Sequence, residues 1–336
     1  MPITSVDQKK RSTIIERKLD KGHEGIDRSP AVYLIPTRRN RENSEGAISL
    51  LDEIKRQRRL VVGTSIPESR FSNVLRGLEH LTEDEVLNAA ERINGNREPV
   101  TGYLKSMLLG FKRLVDTGAR VYFIDNFEPR AEEVERLERK AREMNNIVSS
   151  SGVIKYFGSE FGSVVFECIR NAEYQIVRYS SMARSAIRMI GSELEGGIEK
   201  FAVAIVVSPE AVPILTEKLR NLHPEVLKNP NEGYYERGNT KLRLELMEKL
   251  EKNLYSAPLA AAKILAYELF NYSDICVRSG MEKTRKDISN RIANVGSFKD
   301  LLGAFSAIVE VLGKESGNAS MPIIEMGDIV VSPSMN

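Results

Sequence analysis

Seven charged side chains stand at the end of short apolar segments, in the loops that follow them, or at the head of a predicted helix. Four are arginines and three are acids: Arg38, Arg39, Arg70 and Arg178, with Glu68, Asp125 and Glu210. A guanidinium group presents paired donors at a fixed geometry, which suits carboxylate and phosphate oxygens. Paired carboxylates suit acid and base roles in hydrolysis. The residue types therefore indicate an anion-binding site or a hydrolytic one.

The apolar segments before these residues have the composition of strands that are buried on both faces. They are residues 31–35, 60–62, 120–125 and 201–207. Ala47, Ile48 and Leu51 have helical spacing between the first two segments, and strand, helix and strand in that order form a βαβ unit with parallel strands. Loops that follow parallel strands open on one edge of the sheet. We therefore expect the charged side chains to share that edge.

Several local patterns predict where helices begin and end. Ser44 is a candidate cap for the first helix, and Thr82 with Glu85 forms a capping box for the next one. The glycines of segment 157–163 predict a turn, and segment 174–178 reads as a strand or as the start of a helix. The predicted fold class is α/β, with a mostly parallel sheet flanked by helices and a largely helical C-terminal part.

Composition changes along the chain predict four regions. Residues 1–30 form a charged, flexible arm, 31–220 an α/β core, 221–314 a helical extension, and 315–336 a tail with one edge strand. The formal net charge is only +2, so no global basic field points to nucleic acid. Residues 1–59 are nevertheless rich in Lys and Arg. The low Gln content and the many charged residues are typical of heat-adapted proteins.

Membrane association and export are not expected from the sequence. The most apolar long segment, 257–270, contains Lys263 and Glu268 and is shorter than the roughly 20 residues that a membrane span needs. The first 28 residues are polar and lack the apolar core of a signal peptide. We expect a cytoplasmic location.

The cysteines and histidines do not have the spacing of a metal site. Cys168 and Cys276 are far apart in the sequence, and the three histidines are scattered. No Walker A motif or dinucleotide fingerprint is present either. We therefore expect no bound metal and no cofactor.

Four segments, taken in order, carry a resemblance to a known family. They are Pro36-Thr-Arg-Arg39, Gly118-Ala-Arg-Val-Tyr-Phe-Ile-Asp-Asn126, Val177-Arg-Tyr-Ser-Ser-Met-Ala183 and Val206-Val-Ser-Pro-Glu-Ala-Val-Pro-Ile214. Over residues 31–220 the chain resembles a diverged member of the TraB/PrgY pheromone-shutdown family. That family is related to the ChaN and erythromycin-esterase group of metal-dependent hydrolases.

The chain departs from this family at the positions that would bind the metal. Arg39 and Glu210 stand where the family has histidines, and Gly63 stands where it has a glutamate at a strand end. Val177 and Tyr179 replace two further acids. Hydrolytic metal sites need imidazoles and carboxylates that converge on a cation, and Arg39 would place a fixed positive charge there. The resemblance therefore implies a hydrolase fold whose metal chemistry is lost.

Three functional hypotheses follow from these residues. The first is a non-catalytic protein that binds an anionic small molecule or an acidic protein partner through the four arginines. The second is a hydrolase that uses Glu68, Asp125 and Glu210. The third is an assembly or nucleic-acid accessory protein, which is less favoured and would use the basic residues Lys9, Lys10, Arg11, Arg17, Lys18, Lys55, Arg56, Arg58 and Arg59. Homo-oligomers are compatible with all three.

Overall fold

The computed structural model describes residues 30–66, 71, 73–74, 76–94, 100–129, 131–150, 159–196, 200–229, 237–252, 256–272 and 290–304. The predicted arm, apart from Pro30, and the predicted tail lie outside the described residues, and so do Glu68 and Arg70.

The strands and helices alternate along the first two thirds of the chain. The strands are β1 (Ala31–Pro36), β2 (Arg59–Thr64), β3 (Arg120–Phe123), β4 (Phe201–Val207) and β5 (Glu225–Val226). We label the helices α1 (Arg41–Gln57), α2 (Glu83–Asn94), α3 (Val100–Asp116), α4 (Ala131–Ser150), α5 (Ser159–Glu195), α6 (Val212–Lys218), α7 (Arg237–Glu251) and α8 (Ala257–Tyr272).

The five strands form one sheet in the order β3-β2-β4-β1-β5, and every pairing in it is parallel. The predicted α/β class, with a parallel sheet flanked by helices and a helical C-terminal part, is confirmed. Two compact units divide the chain. The first contains the sheet and comprises residues 1–128 and 176–235, and the second comprises 129–175 and 236–336, so α5 contributes to both.

The two faces of the sheet pack against different helices. Leu60 and Val62 of β2 belong to an apolar core that also contains buried residues of α1, α2 and α3. Successive side chains of a strand point to opposite faces. On the other face of β2, the position of a β-carbon on Gly63 lies 3.4 Å from Met189 Cε of α5. The sheet of the first unit is therefore covered on both sides, as its continuous apolar strands require.

Helix ends in the first unit follow from specific residues. Thr82 and Glu85 bond reciprocally at the start of α2, with Thr82 N donating to Glu85 Oε2 at 2.8 Å and Glu85 N donating to Thr82 Oγ1 at 3.3 Å. This confirms the predicted capping box. Gly118 ends α3 with a φ of 90°. Gly118 N donates to Val115 O and Ala119 N donates to Leu114 O, and this C-terminal pattern needs a residue in the left-handed conformation, which glycine adopts freely.

Two local predictions were wrong. Helix α1 begins at Arg41 with Asn40 as its cap, so Ser44 lies inside the helix and its hydroxyl donates to Arg41 O at 2.6 Å. Helix α5 begins at Ser159 and contains Gly162, where a turn was expected. Segment 174–178, for which both a strand and the start of a helix were considered, lies within the same helix. Strand β5 was not predicted, since two exposed residues carry no apolar pattern.

The second unit is helical in its described part. Helix α8 packs against α7 and against α4. Lys140 of α4 pairs with the buried Glu173 of α5 and donates to Leu250 O at 3.0 Å. Burial raises the pKa of Glu173, and the Lys140 charge opposes that rise. None of the helices that the structure describes is long and apolar enough to cross a membrane.

Candidate anion-binding site

The carboxyl ends of four strands are joined by backbone hydrogen bonds that continue past the sheet ladder. Thr37 N after β1 donates to Val207 O of β4 at 2.7 Å, and Ser65 N after β2 donates to Val206 O at 3.1 Å. Ile124 N after β3 donates to Thr64 O of β2 at 3.1 Å. The residues that follow these strands are therefore neighbours along one edge of the sheet.

The strand order places a switch in chain direction at this edge. After β2 the chain moves outward to β3, and after β4 it moves the opposite way to β5. The loops after these adjacent strands therefore leave toward opposite sides. In open parallel sheets such a point opens a crevice, where ligands bind.

A buried ion pair closes one end of the edge. Arg178 Nε donates to both carboxylate oxygens of Asp125 at 3.0 Å, and Arg178 Nη2 donates to Asp125 Oδ2 as well. Asp125 is 5% exposed, and the Arg178 side chain is 14% exposed. The pair fastens the end of β3 to α5. The Asp125 carboxylate is therefore engaged by a cation, rather than open to a substrate.

Tyr179 of α5 and Ser208 after β4 form a pair of hydroxyls in the middle of the edge. Tyr179 OH lies 3.1 Å from Ser208 Oγ, and either group can donate. Burial raises the pKa of Tyr179, the bond to Ser208 lowers it, the Glu210 charge raises it, and the charges of Arg178 and Arg39 lower it. Residues that follow β1 and β4, together with Arg178 of α5, therefore act on the Tyr179 phenol.

The charge of Arg39 also acts on a second phenol, Tyr103, which belongs to helix α3. Burial raises the pKa of Tyr103 of α3 to about 12, and the Arg39 charge opposes that rise. Arg39 itself is exposed, and the preceding Arg38 is half-buried. An exposed guanidinium at the end of β1 thus acts on both Tyr103 and Tyr179, from a position that is accessible to a dissolved anion.

Asparagine side chains hold the loop that carries these arginines. Asn40 Oδ1 accepts from Asn43 N at 2.8 Å and caps α1. Asn229, only 1% exposed, donates from Nδ2 to Pro36 O at 3.3 Å and to Asn43 O at 2.8 Å. One side chain therefore joins the last residue of β1 to the first turn of α1.

Replacing Asn229 by alanine is expected to lower the free energy of unfolding by about 2 kcal/mol, because two buried carbonyls lose their donor. Urea unfolding measures the change. Asn221→Ala is the matched control, since Asn221 is not buried and should change stability by less than about 0.5 kcal/mol. Equal effects of the two substitutions would contradict the bridging role of Asn229.

Gly63 is a close contact point rather than an open position. A β-carbon there would lie 3.1 Å from Ile124 Cγ2 and 3.4 Å from Met189 Cε. The space beside Gly63 is filled by apolar side chains, so a larger side chain would not fit without repacking of the core.

The structure brings together only part of the site predicted from the sequence. Arg39, Arg178 and Glu210 all act on Tyr179, and Asp125 binds Arg178. Nothing is described for Glu68 and Arg70. Tyr179 and Asn229 were missed as site residues. The available signal for Tyr179 was its position directly after Arg178, whereas no sequence pattern marks the contacts of Asn229.

Within the described part of the chain, no group of three or more His, Cys, Asp or Glu side chains could hold a metal ion. Comparisons with protein-family models, with curated proteins and with solved structures found no match to this chain.

Proposed function

We propose that this protein is a non-catalytic binding protein that takes a small anionic molecule at the carboxyl edge of its sheet, with Arg39 as the main contact. The observation that carries the proposal is the position of Arg39, an exposed guanidinium at a strand end within electrostatic reach of Tyr103 and Tyr179. Guanidinium and hydroxyl groups together supply the donors that a carboxylate or phosphate needs.

The charge at the edge also favours an anion. Three described arginines of the predicted site, Arg38, Arg39 and Arg178, stand with two acids, Asp125 and Glu210. Asp125 binds Arg178. Arg38 and Arg39 lie in the loop after β1, and guanidinium groups there favour a carboxylate or phosphate ligand over a cation.

The hydrolase hypothesis has less support from the same geometry. A general base must be able to reach a proton of the substrate or of a water molecule. Both oxygens of Asp125 accept hydrogen bonds from Arg178, so the carboxylate is occupied by a structural partner. Under this proposal, the TraB/PrgY-like core has lost its metal chemistry, and its arginines bind an anion instead.

The test is the melting temperature in inorganic phosphate at constant ionic strength, with chloride as the balancing anion. A ligand that binds only the folded state at ten times its Kd stabilises by about 1.4 kcal/mol, which corresponds to a rise of roughly 2–4 °C. We expect this rise for the unaltered protein and for Arg220→Ala, an exposed arginine paired with Glu217.

The Arg39→Ala variant is expected to lose the rise. This comparison separates a specific site from the general stabilisation that phosphate gives to folded proteins by exclusion from their surfaces. A rise of the same size in Arg39→Ala and Arg220→Ala would contradict the proposal.

A further inference from the structure

Hydroxyl residues follow three adjacent strands at the candidate site. They are Ser65 after β2, Ser208 after β4 and Thr37 after β1. Pro36 pairs with Val207 in the sheet register, so Thr37 is level with Ser208. Thr64 pairs with Val206, so Ser65 lies one residue short of that level. Neighbouring strands are about 4.8 Å apart. The Thr37 hydroxyl is buried and donates to Ile35 O, so Ser208, in the middle of the row, is the hydroxyl that carries the argument.

The middle of this row is built from side chains that both donate and accept. Ser208 Oγ and Tyr179 OH lie 3.1 Å apart. Tyr179 is buried and its pKa is raised, so the phenol keeps its proton at neutral pH. A neutral hydroxyl pair can exchange hydrogen bonds with the hydroxyls of a ligand, whereas a bare anion would use the donors alone.

Glu210 adds an acceptor beside the same pair. It lies two residues after Ser208 in a short 3-10 turn, is half-buried, and acts electrostatically on Tyr179. A carboxylate repels a simple anion but accepts hydrogen bonds from ligand hydroxyls. At the β1 end of the row stands Arg39, whose exposed guanidinium presents paired donors that suit phosphate oxygens.

We propose that the ligand is a phosphomonoester of a sugar, with its phosphate at Arg39 and its sugar hydroxyls along Ser208 and Glu210. This inference rests on the proposed function, because it names the ligand class of the same site. It divides the site into an arginine part that holds the phosphate and a hydroxyl part that selects the sugar.

The experiment is calorimetric titration of the full chain at constant ionic strength with inorganic phosphate, ribose 5-phosphate, adenosine 5′-monophosphate and O-phosphoserine. We expect ribose 5-phosphate to bind about tenfold more tightly than phosphate, since two neutral hydrogen bonds contribute on that scale. The nucleotide carries the same phosphate and two of the ribose hydroxyls, so we expect it also to bind more tightly than phosphate. O-phosphoserine, which offers an ammonium group in place of sugar hydroxyls, is expected to gain less than ribose 5-phosphate.

Two variants test the division of the site. Ser208→Ala should reduce the ratio of the phosphate Kd to the ribose 5-phosphate Kd, since one hydrogen bond of the sugar part is lost. Glu210→Gln should also reduce this ratio, because the amide is a weaker acceptor for the sugar hydroxyls and the removed charge no longer repels phosphate. If ribose 5-phosphate is no better than phosphate, or if both variants keep its full advantage, the sugar inference fails and the anion site stands. Binding of O-phosphoserine tighter than ribose 5-phosphate would also overturn it. If the unaltered protein binds none of the four ligands, the proposed function itself fails.

Discussion

Replacement of Asp125 by alanine is expected to lower the free energy of unfolding by about 3 kcal/mol, because it leaves the Arg178 guanidinium largely buried without its carboxylate. In the folded protein, Arg178 donates to both oxygens of Asp125, and the carboxylate is almost inaccessible to water. Urea unfolding followed by circular dichroism measures the loss.

A matched surface pair provides the control for this prediction. Glu217 pairs with Arg220 at 3.1 Å, and both side chains are mostly exposed, so Glu217→Ala should cost less than about 1 kcal/mol. The double variant Asp125→Ala, Arg178→Met removes both charges and should recover much of the loss. A single variant as stable as Glu217→Ala, or a double variant less stable than the single one, would contradict the buried-pair account.

Replacement of Gly110 by alanine is the second large effect, with an expected loss of about 2 kcal/mol in the free energy of unfolding. A β-carbon at Gly110 of α3 would lie 2.2 Å from Ile48 Cδ1 and 2.5 Å from Ile48 Cγ1 of α1. Helix propensity alone would make alanine about 1 kcal/mol more stable than glycine at this position. A decrease in the free energy of unfolding would therefore indicate the clash with Ile48.

The cause of that loss can be checked with a second substitution. In an Ile48→Ala background, Gly110→Ala should leave the free energy of unfolding unchanged or raise it, since the two side chains then no longer compete for one space. Gly303 is the control, because it is helical and has open space around its α-carbon, so Gly303→Ala should not destabilise. A loss at Gly110 that persists without the Ile48 side chain would contradict the close-packing explanation.

The sheet was largely predictable because its strands are continuous apolar segments. Strand β4 is buried at every residue, and β1 is nearly so, which is the pattern of central parallel strands. The order of the strands was not predictable. Strand β4 inserts between β1 and β2, a long-range choice that no local pattern encodes.

Local errors have local causes. Asn40 and Ser44 are both good capping residues, and the sequence alone does not decide which one begins α1. Gly162, which helped to suggest a turn before α5, is tolerated in the first turn of a 37-residue helix. Segment 174–178 contains aromatic and β-branched residues, which favour strands until tertiary packing overrides that preference.

The neighbourhood of the strand-end residues was easier to predict than their contacts. The rule that ligands bind at the carboxyl ends of parallel strands pointed to Arg39, Asp125 and Glu210 from the sequence alone. It could not show that Asp125 pairs with Arg178, because that contact joins positions 53 residues apart. Asn229 was missed because its function depends on two backbone carbonyls, which have no sequence signature.

The most direct test of the central claim is calorimetric titration of inorganic phosphate into the unaltered protein and into Arg39→Ala at one ionic strength. The account predicts a saturable heat for one site in the unaltered protein and no saturable heat in Arg39→Ala, with Arg220→Ala unchanged as the control. No saturable binding by the unaltered protein, or the same Kd with and without the Arg39 side chain, would contradict the claim that this edge of the sheet is an anion-binding site.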